Sequence, residues 1–302
     1  MKKSSGSQVV GRFAPSPTGM LHTGSLVAAI GSYIMAKQAD GKWLLRLDDL
    51  DTQRQIPGMA DDIMKTLESF GLFWDGEVSR QSRNIEHYQH AFADLYNNGF
   101  LYPCSCSRKD IAKSSSAPHP DDDCIPYSGT CRTGINQGSA IRSWRVRVKD
   151  AEITFSDMRK GWISQNLAVV TGDFVVKRSD GAFAYQLAVV VDDFLTGVNQ
   201  VVRGEDLLTS TPRQILLQNI LGYPNPEYCH LPLVTETDGS KLSKRDNLIS
   251  HQLGNAAGRK NEQLFYALRF LGQNPPEDLL ACNCDTILQW GIDNFKSAEL
   301  PT

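Results

Sequence analysis

Between residues 9 and 49 the chain runs from the apolar VVGRF through the turn APSPTGML into LVAAIGSYIMAK, then out through WLLRLDD. No other stretch restricts the fold as much. Val9 to Phe13 reads as a short buried strand. Leu26, Ile30 and Ile34 recur at a spacing of four, with Tyr33 alongside, as on the buried side of a helix. Residues 43–49 read as a second buried strand that turns acidic at its end. Strand, loop, helix and strand make a βαβ unit, the mark of a parallel sheet and an α/β fold.

The loop of that unit, GRFAPSPTGMLHTGS, combines stiff and permissive residues. In a βαβ unit ligands sit beyond the carboxyl ends of the strands, where the helix begins. A helix N-terminus offers unpaired N–H groups and partial positive charge to a phosphate. Pro15 and Pro17 restrict the loop, so less entropy is lost on binding. Gly19 and Gly24 admit close approach, and His22 can donate to a phosphate oxygen. The stretch therefore reads as a preorganised nucleotide-phosphate site, the alternative being an awkward turn with a surface histidine. A second basic piece, KLSKRD, follows a Asp-Gly turn; Lys241 and Lys244 are mobile ammonium groups suited to charge on a leaving phosphate.

Elsewhere Pro57 suits the first turn of a helix with Ile63, Leu67 and Phe70 on one face and Gly71 as its stop. Another helix is expected from Asn84 to Asn97. Residues 104–140 hold four cysteines and three prolines with little apolar periodicity, as in an inserted subdomain. Trp144, Val146 and Val148 alternate as in a strand. DFVVKRSDGAFAYQL predicts two strands around a Ser-Asp-Gly turn, and LAVVVDD begins a further buried element. Ser210 or Thr211 caps a helix containing Ile215, Leu216, Ile220 and Leu221. About one small helical segment is expected after KLSKRD, with Leu264, Leu268 and Leu271 on a stripe.

The 302 residues, 41% hydrophobic, supply an ample core, and a formal charge of −3 gives no global basic field to advertise a nucleic-acid partner. A local basic face stays open, with Arg142, Arg145 and Arg147 as candidates for phosphate contact. The two N-terminal lysines precede no apolar run of a secretory signal, and no stretch approaches the roughly 18 apolar residues of a membrane span. A soluble cytoplasmic protein with no membrane partner is expected. Seven cysteines, odd in number and partly clustered, favour thiols or metal ligands over a disulfide framework.

GRFAPSPTG-LHTGS followed by KLSKR resembles the two signatures of class I aminoacyl-tRNA synthetases. RFAPSPTG, LLRLDDLD, FAYQLAVVVDD and VVRGEDLL resemble the glutamyl-tRNA synthetase branch, over residues 9 to about 250. His22-Thr23-Gly24-Ser25 departs from His-Ile-Gly-His at its second and fourth positions. The resemblance implies a Rossmann-type catalytic domain over 8–100 and 170–250, an inserted zinc-containing, acceptor-binding-like subdomain over 101–169, and a short helical C-terminal region over 251–302. It implies His22 and Lys244 as catalytic groups, and His22, Gly24, Lys241 and Lys244 around ATP, which brings Mg²⁺. Around glutamate it implies Arg12, Phe13, Ala14, Pro15, Ser16, Asp48, Tyr185 and Arg203, with Asp48 receiving the α-ammonium where the family has glutamate. For one structural zinc ion it implies Cys104, Cys106, Tyr127 and Cys131; Cys124 is a rival for the tyrosine's place.

Only 57 residues follow Arg245, too few for a helical anticodon-binding region. That shortening resembles the glutamyl-queuosine tRNA(Asp) synthetases, which activate L-glutamate with ATP and attach it to the queuosine base in the tRNA(Asp) anticodon. A monomer is expected. The alternatives are a shortened conventional glutamyl-tRNA ligase and a non-catalytic nucleotide- or RNA-binding paralogue.

Overall fold

The computed structural model describes residues 7–107, 109–111, 126–234 and 260–302. Lys241, Lys244 and Cys124 lie outside the described residues. The opening βαβ unit comprises β1 (Val10–Phe13), α1 (Thr23–Gln38) and β2 (Lys42–Leu47), and β1 pairs in parallel with β2 from Val10↔Lys42 to Phe13↔Leu45. Trp43, Leu45 and Leu47 on β2 are fully buried, and the Trp43 indole N–H donates to Ser32 Oγ at 3.0 Å. α1 is buried on several sides, against β1, β2 and elements from the far end of the chain. This explains why its buried residues, with Ala29, Ser32 and Ala36 on the side opposite Ile30 and Ile34, spread around the helix.

Next come α2 (Met59–Ser69), the two-residue β3 (Ser79–Arg80), which extends the sheet beyond β2, and α3 (Ile85–Asn97). α2 starts two residues after Pro57, because Gly58 takes a left-handed conformation as its N-cap. β4 (Leu101–Cys104), β5 (Ser143–Val146) and β8 (Val175–Arg178) form an antiparallel sheet. β6 (Glu152–Asp157) and β7 (Gly161–Asn166) form a hairpin within the segment expected as an insertion. That hairpin nevertheless extends another sheet, since β6 pairs with β10 (Glu227–Leu231), which pairs in parallel with β9 (Gln200–Gly204).

The expected second strand after Ser-Asp-Gly is a correction. The turn forms, with Arg178 N–H donating to Ala182 O at 2.9 Å, but only a bridge between Lys177 and Phe183 follows. After the one-turn α4 (Leu167–Val170), Tyr185 to Leu195 forms helix α5. Leu187 to Val191 are all buried there, so tertiary burial overrides the strand preference of the β-branched run. α6 (Thr211–Leu221) follows as expected, with Ser210 at its N-cap.

The C-terminal region also departs from expectation, with two helices, α7 (Lys260–Phe270) and α8 (Cys284–Asn294), in place of one. Asn283 caps α8 through Thr286 N–H, and Ile287 and Leu288 bury themselves beside Leu264, Phe265 and Leu268. Both helices pack on α1 and share its core with β1, β2 and α2.

β9 lies beside β1: Asn199 N–H donates to Val10 O at 3.0 Å, and Asn199 Oδ1 accepts from Val10 N–H at 2.8 Å. The starts of the two strands therefore meet, and their ends, Phe13 and Gly204, line one cavity. From β1 the chain crosses to β2 on one side, and from β9 it crosses to β10 on the other. Such a reversal of winding is where an open α/β sheet leaves a crevice for ligands.

Candidate active site

The crevice is a cavity of about 290 Å³. Its walls combine the end of β1 and the following loop (Arg12 to Ser16), the start of α1 (His22, Gly24, Ser25), Tyr185 at the start of α5, and Arg203 at the end of β9. Backbone bonds tie the loop down at both prolines. Asp48 N–H donates to Pro15 O at 2.9 Å, and Ile56 N–H to Pro17 O at 3.0 Å.

His22 is the N-cap of α1, and its Nδ1 accepts from Ser25 N–H at 3.2 Å. A backbone N–H only donates, so the neutral ring carries its proton on Nε2. Ser25 Oγ lies 3.0 Å from that nitrogen. A Cβ on Gly24 would come within 3.2 Å of the His22 ring. Glycine thus clears space for the cap as well as for a ligand.

Behind the cavity lies a buried charge network that the sequence reading did not assign. Arg12 Nε pairs with Asp193 Oδ1 at 3.3 Å, and Arg46 Nη1 pairs with the same oxygen at 2.5 Å. Burial pushes the Asp193 carboxyl up, but Arg12 and Arg46 outweigh it and hold the group below the usual range. Asp192 accepts from Gln81, Asn84 and the Tyr88 hydroxyl. Removing one member of such a network leaves a buried charge without its partner, which costs about 3–5 kcal/mol. The visible signal was a pair of aspartates ending the apolar run LAVVVDD.

Of the expected pocket residues among those described, Arg12, Phe13, Ala14, Pro15, Ser16, His22, Gly24, Tyr185 and Arg203 all line the cavity. Asp48 does not. Its Oδ1 takes Arg46 Nε at 2.7 Å, and burial pushes its carboxyl up to about 6 despite that partner. Asp206 is the carboxylate that lines the cavity among the described residues. Arg203 is not paired with Glu205 or Asp206 but donates from Nε to His230 Nε2 at 3.1 Å and from Nη2 to Thr211 Oγ1 at 2.7 Å.

A larger groove of about 1470 Å³ runs from Asp206 past Arg213, Arg178, Arg54 and Arg142 to the cysteine-bearing region. Arg142 is exposed there, whereas Arg145 and Arg147 turn their cations onto the Tyr127 and Tyr102 rings.

Cys104, Cys106 and Cys131 bring their sulfurs within 4.8 Å of one another. The Tyr127 hydroxyl lies 3.3 Å from Cys104 Sγ and 3.4 Å from Cys106 Sγ, and Cys106 and Cys131 are 3.5 Å apart. Burial pushes the Cys106 thiol up to about 11. At Cys131 burial is outweighed by hydrogen bonds from Tyr127, Ser105 and Cys106, which hold the thiol down at about 6. Arg145 Nε donates to Cys104 Sγ at 3.4 Å, so a cation backs the sulfurs. Gly172 lets Tyr127 approach: a Cβ there would meet the Tyr127 carbonyl oxygen at 2.3 Å.

The family model described as tRNA synthetases class I (E and Q), catalytic domain, matches residues 8–291, and the chain belongs to that family. It is a ligase of the class I aminoacyl-tRNA synthetase type, built on a mixed α/β fold with parallel strands. Within the family it is similar to the glutamyl-Q tRNA(Asp) synthetase of Geobacter sulfurreducens, 53% identical over 97% of this chain and 94% of the relative. The protein of the same name from Dechloromonas aromatica is 48% identical over 96% of this chain and 95% of its own. Among solved structures, a glutamate tRNA ligase from Elizabethkingia meningosepticum in complex with its amino acid superposes with a TM-score of 0.79 at 26% identity. That likeness covers 97% of this chain and 66% of the ligase, so the chain spans about two thirds of the ligase's length. Among the described residues no helix is long and apolar enough to cross a membrane.

Proposed function

We propose that the protein activates L-glutamate with ATP and transfers the glutamyl group to the queuosine base of tRNA(Asp). The observation that carries this reading is the gathering of Arg12, Ser16, His22, Gly24, Tyr185 and Arg203 around one cavity at the ends of β1 and β9. Two guanidinium groups suit a substrate with two carboxylates, and the α1 N-terminus suits the phosphates. The names of the similar proteins support the choice of glutamate and of the queuosine-bearing acceptor.

In the first step a glutamate carboxylate oxygen attacks the α-phosphorus of ATP, and pyrophosphate departs with the electrons of the broken P–O bond. Nothing covalent is required of the protein, so alignment and electrostatic stabilisation supply the catalysis. His22 presents its Nε2–H to an α-phosphate oxygen, exchanging Ser25 Oγ for the ligand. Lys244, with Lys241, holds the β- and γ-phosphates, and Mg²⁺ arrives with ATP. With Asp48 committed to Arg46, the α-ammonium is assigned to Asp206 or to a water between them.

Zinc fits the cysteine cluster. Ligands at about 2.3 Å around a tetrahedral ion stand about 3.8 Å apart, close to the observed sulfur spacing. Cys104, Cys106, Cys131 and the Tyr127 oxygen would hold the ion, which supplies local stability and takes no part in the reaction. The arginine-lined groove between this cluster and the cavity suits an RNA backbone by its charge. A unit spanning 101–169, joined to the catalytic part by strand pairing of β5 with β8 and of β6 with β10 and bordered by this groove, is the arrangement proposed.

The test is direct. Purified protein should catalyse glutamate-dependent exchange of pyrophosphate into ATP without tRNA or with it. It should then load glutamate onto queuosine-containing tRNA(Asp) and not onto the same tRNA lacking the modified base. Loading that survives removal of queuosine and is blocked by periodate treatment of the 3′ end would instead identify a shortened conventional ligase. No exchange under any condition would point to a non-catalytic binder.

A further inference from the structure

Strands β6, β10 and β9 lie side by side, and across them Asp157, His230 and Arg203 form one buried line. His230 is fully buried, and Asp157 and Arg203 are 1% and 5% exposed. His230 and Arg203 are direct partners in the β10–β9 register. Asp157 Oδ2 accepts the His230 backbone N–H at 3.0 Å and lies 2.7 Å from the ring Nδ1. Its other oxygen accepts the Arg159 and Lys160 backbone N–H groups at 3.0 and 2.9 Å, so the carboxylate is held on every side.

On the far side of the ring, Nε2 faces Arg203 Nε at 3.1 Å and Thr211 Oγ1 at 3.0 Å. A guanidinium N–H can only donate, so Nε2 must accept and the ring proton must sit on Nδ1, against the carboxylate. Burial, and then the Arg203 charge, favour the neutral ring over the Asp157 carboxylate, which favours the cation; the net shift is downward. One edge of the guanidinium is thereby filled, with Nε on His230 and Nη2 on Thr211 Oγ1 and the Leu207 carbonyl. Arg203 Nη1 is buried without a hydrogen-bond partner among the described residues, and the side chain lines the cavity. An unpaired buried donor is unfavourable, and an anionic ligand atom would satisfy it.

We propose that His230 is a positioning residue: fixed as its Nδ1–H tautomer by Asp157, it orients Arg203 so that Nη1 is left for a carboxylate of the substrate. The inference rests on the reading of the cavity as a glutamate site. His230 touches no substrate; it acts by refusing Arg203 any other orientation. Protonation or loss of the imidazole would turn an acceptor into a repelling donor or a gap, and Arg203 would lose its aim.

The test uses full-length protein and glutamate-dependent pyrophosphate exchange. His230→Leu should raise KM for glutamate about tenfold or more while KM for ATP stays within about twofold. His230→Gln, whose amide oxygen can accept from Arg203, should recover most of that loss, and Asp157→Asn should fall between them. Independently of any substrate, the ring ¹⁵N shifts of His230 should report the Nδ1–H tautomer. Equal rises in both KM values, a glutamine variant as impaired as the leucine one, or an Nε2–H tautomer would each overturn the proposal. If the leucine variant does not fold, the glutamine and Asp157→Asn variants carry the comparison. Wild-type protein giving no exchange with glutamate would overturn the glutamate reading instead, with the tautomer measurement still deciding the role of His230.

Discussion

Around the cavity, Arg12 and Arg203 stand at the ends of strands whose neighbours Trp43, Leu45, Val202 and Leu231 sink into the largest apolar core of the described residues. Around Cys104, Cys106 and Cys131 the apolar partners shrink to Tyr102 and Tyr127, with Ile111 and Ile135 only partly buried. The cavity is therefore shaped by packing that exists without a ligand. The cysteine region lacks comparable packing, and its sulfurs converge where a metal could complete it. Charge follows the same division. Asp192 and Asp193 are held behind the cavity by arginines and amides, whereas the cysteine cluster has the cation of Arg145 at Cys104 and, next to Cys131, Arg132 paired with Asp173.

The contrast can be broken by mutation. Trp43→Ala removes a fully buried indole from the core beneath the cavity and should cost about 3–5 kcal/mol of global stability, read by denaturant unfolding. Lys244→Ala should slow pyrophosphate exchange by about 10²–10³-fold, about 2.7–4 kcal/mol, with glutamate affinity little changed. Equal losses would mean that the lysine serves binding alone. Cys131→Ser should abolish stoichiometric zinc, measured by elemental analysis, yet move the main unfolding transition by less than about 1 kcal/mol. A large shift would show that the two regions share one cooperative core.

The smallest effect concerns pH. Folding holds the His230 pKa down, so below about 6.5 the unfolded chain binds a proton that the folded protein refuses. Its contribution is present above that pH and is lost as the pH falls. The stability of the wild type should consequently drop more steeply than that of His230→Gln between pH 7 and pH 5, by about 1 kcal/mol or less per pH unit. Parallel curves would place no titration at His230.

Much of this was legible beforehand. The βαβ unit announced itself through the spacing of Leu26, Ile30 and Ile34 and the flanking apolar runs, since both periodicities are local. The loop residues from Arg12 to Gly24 share one short stretch, so their convergence needed only that unit. FAYQLAVVVDD was harder, because Leu187 to Val191 are buried in a helix, where an unbroken apolar run carries no period to tell helix from strand. α8 went unseen because its apolar stripe is brief and becomes decisive only against Ile34 of α1.

Local order along the chain determined where a strand must yield to a helix and where a phosphate could approach. Those depend on backbone preference and on neighbours a few residues apart. Tertiary structure alone decided that Asp48 turns to Arg46, that Arg12 leans on Asp193, and that His230 holds Arg203 from the adjoining strand. Each is a choice of partner between charged or polar groups far apart in sequence, and in a buried site that choice depends on which group arrives within about 3 Å, which sequence spacing does not encode.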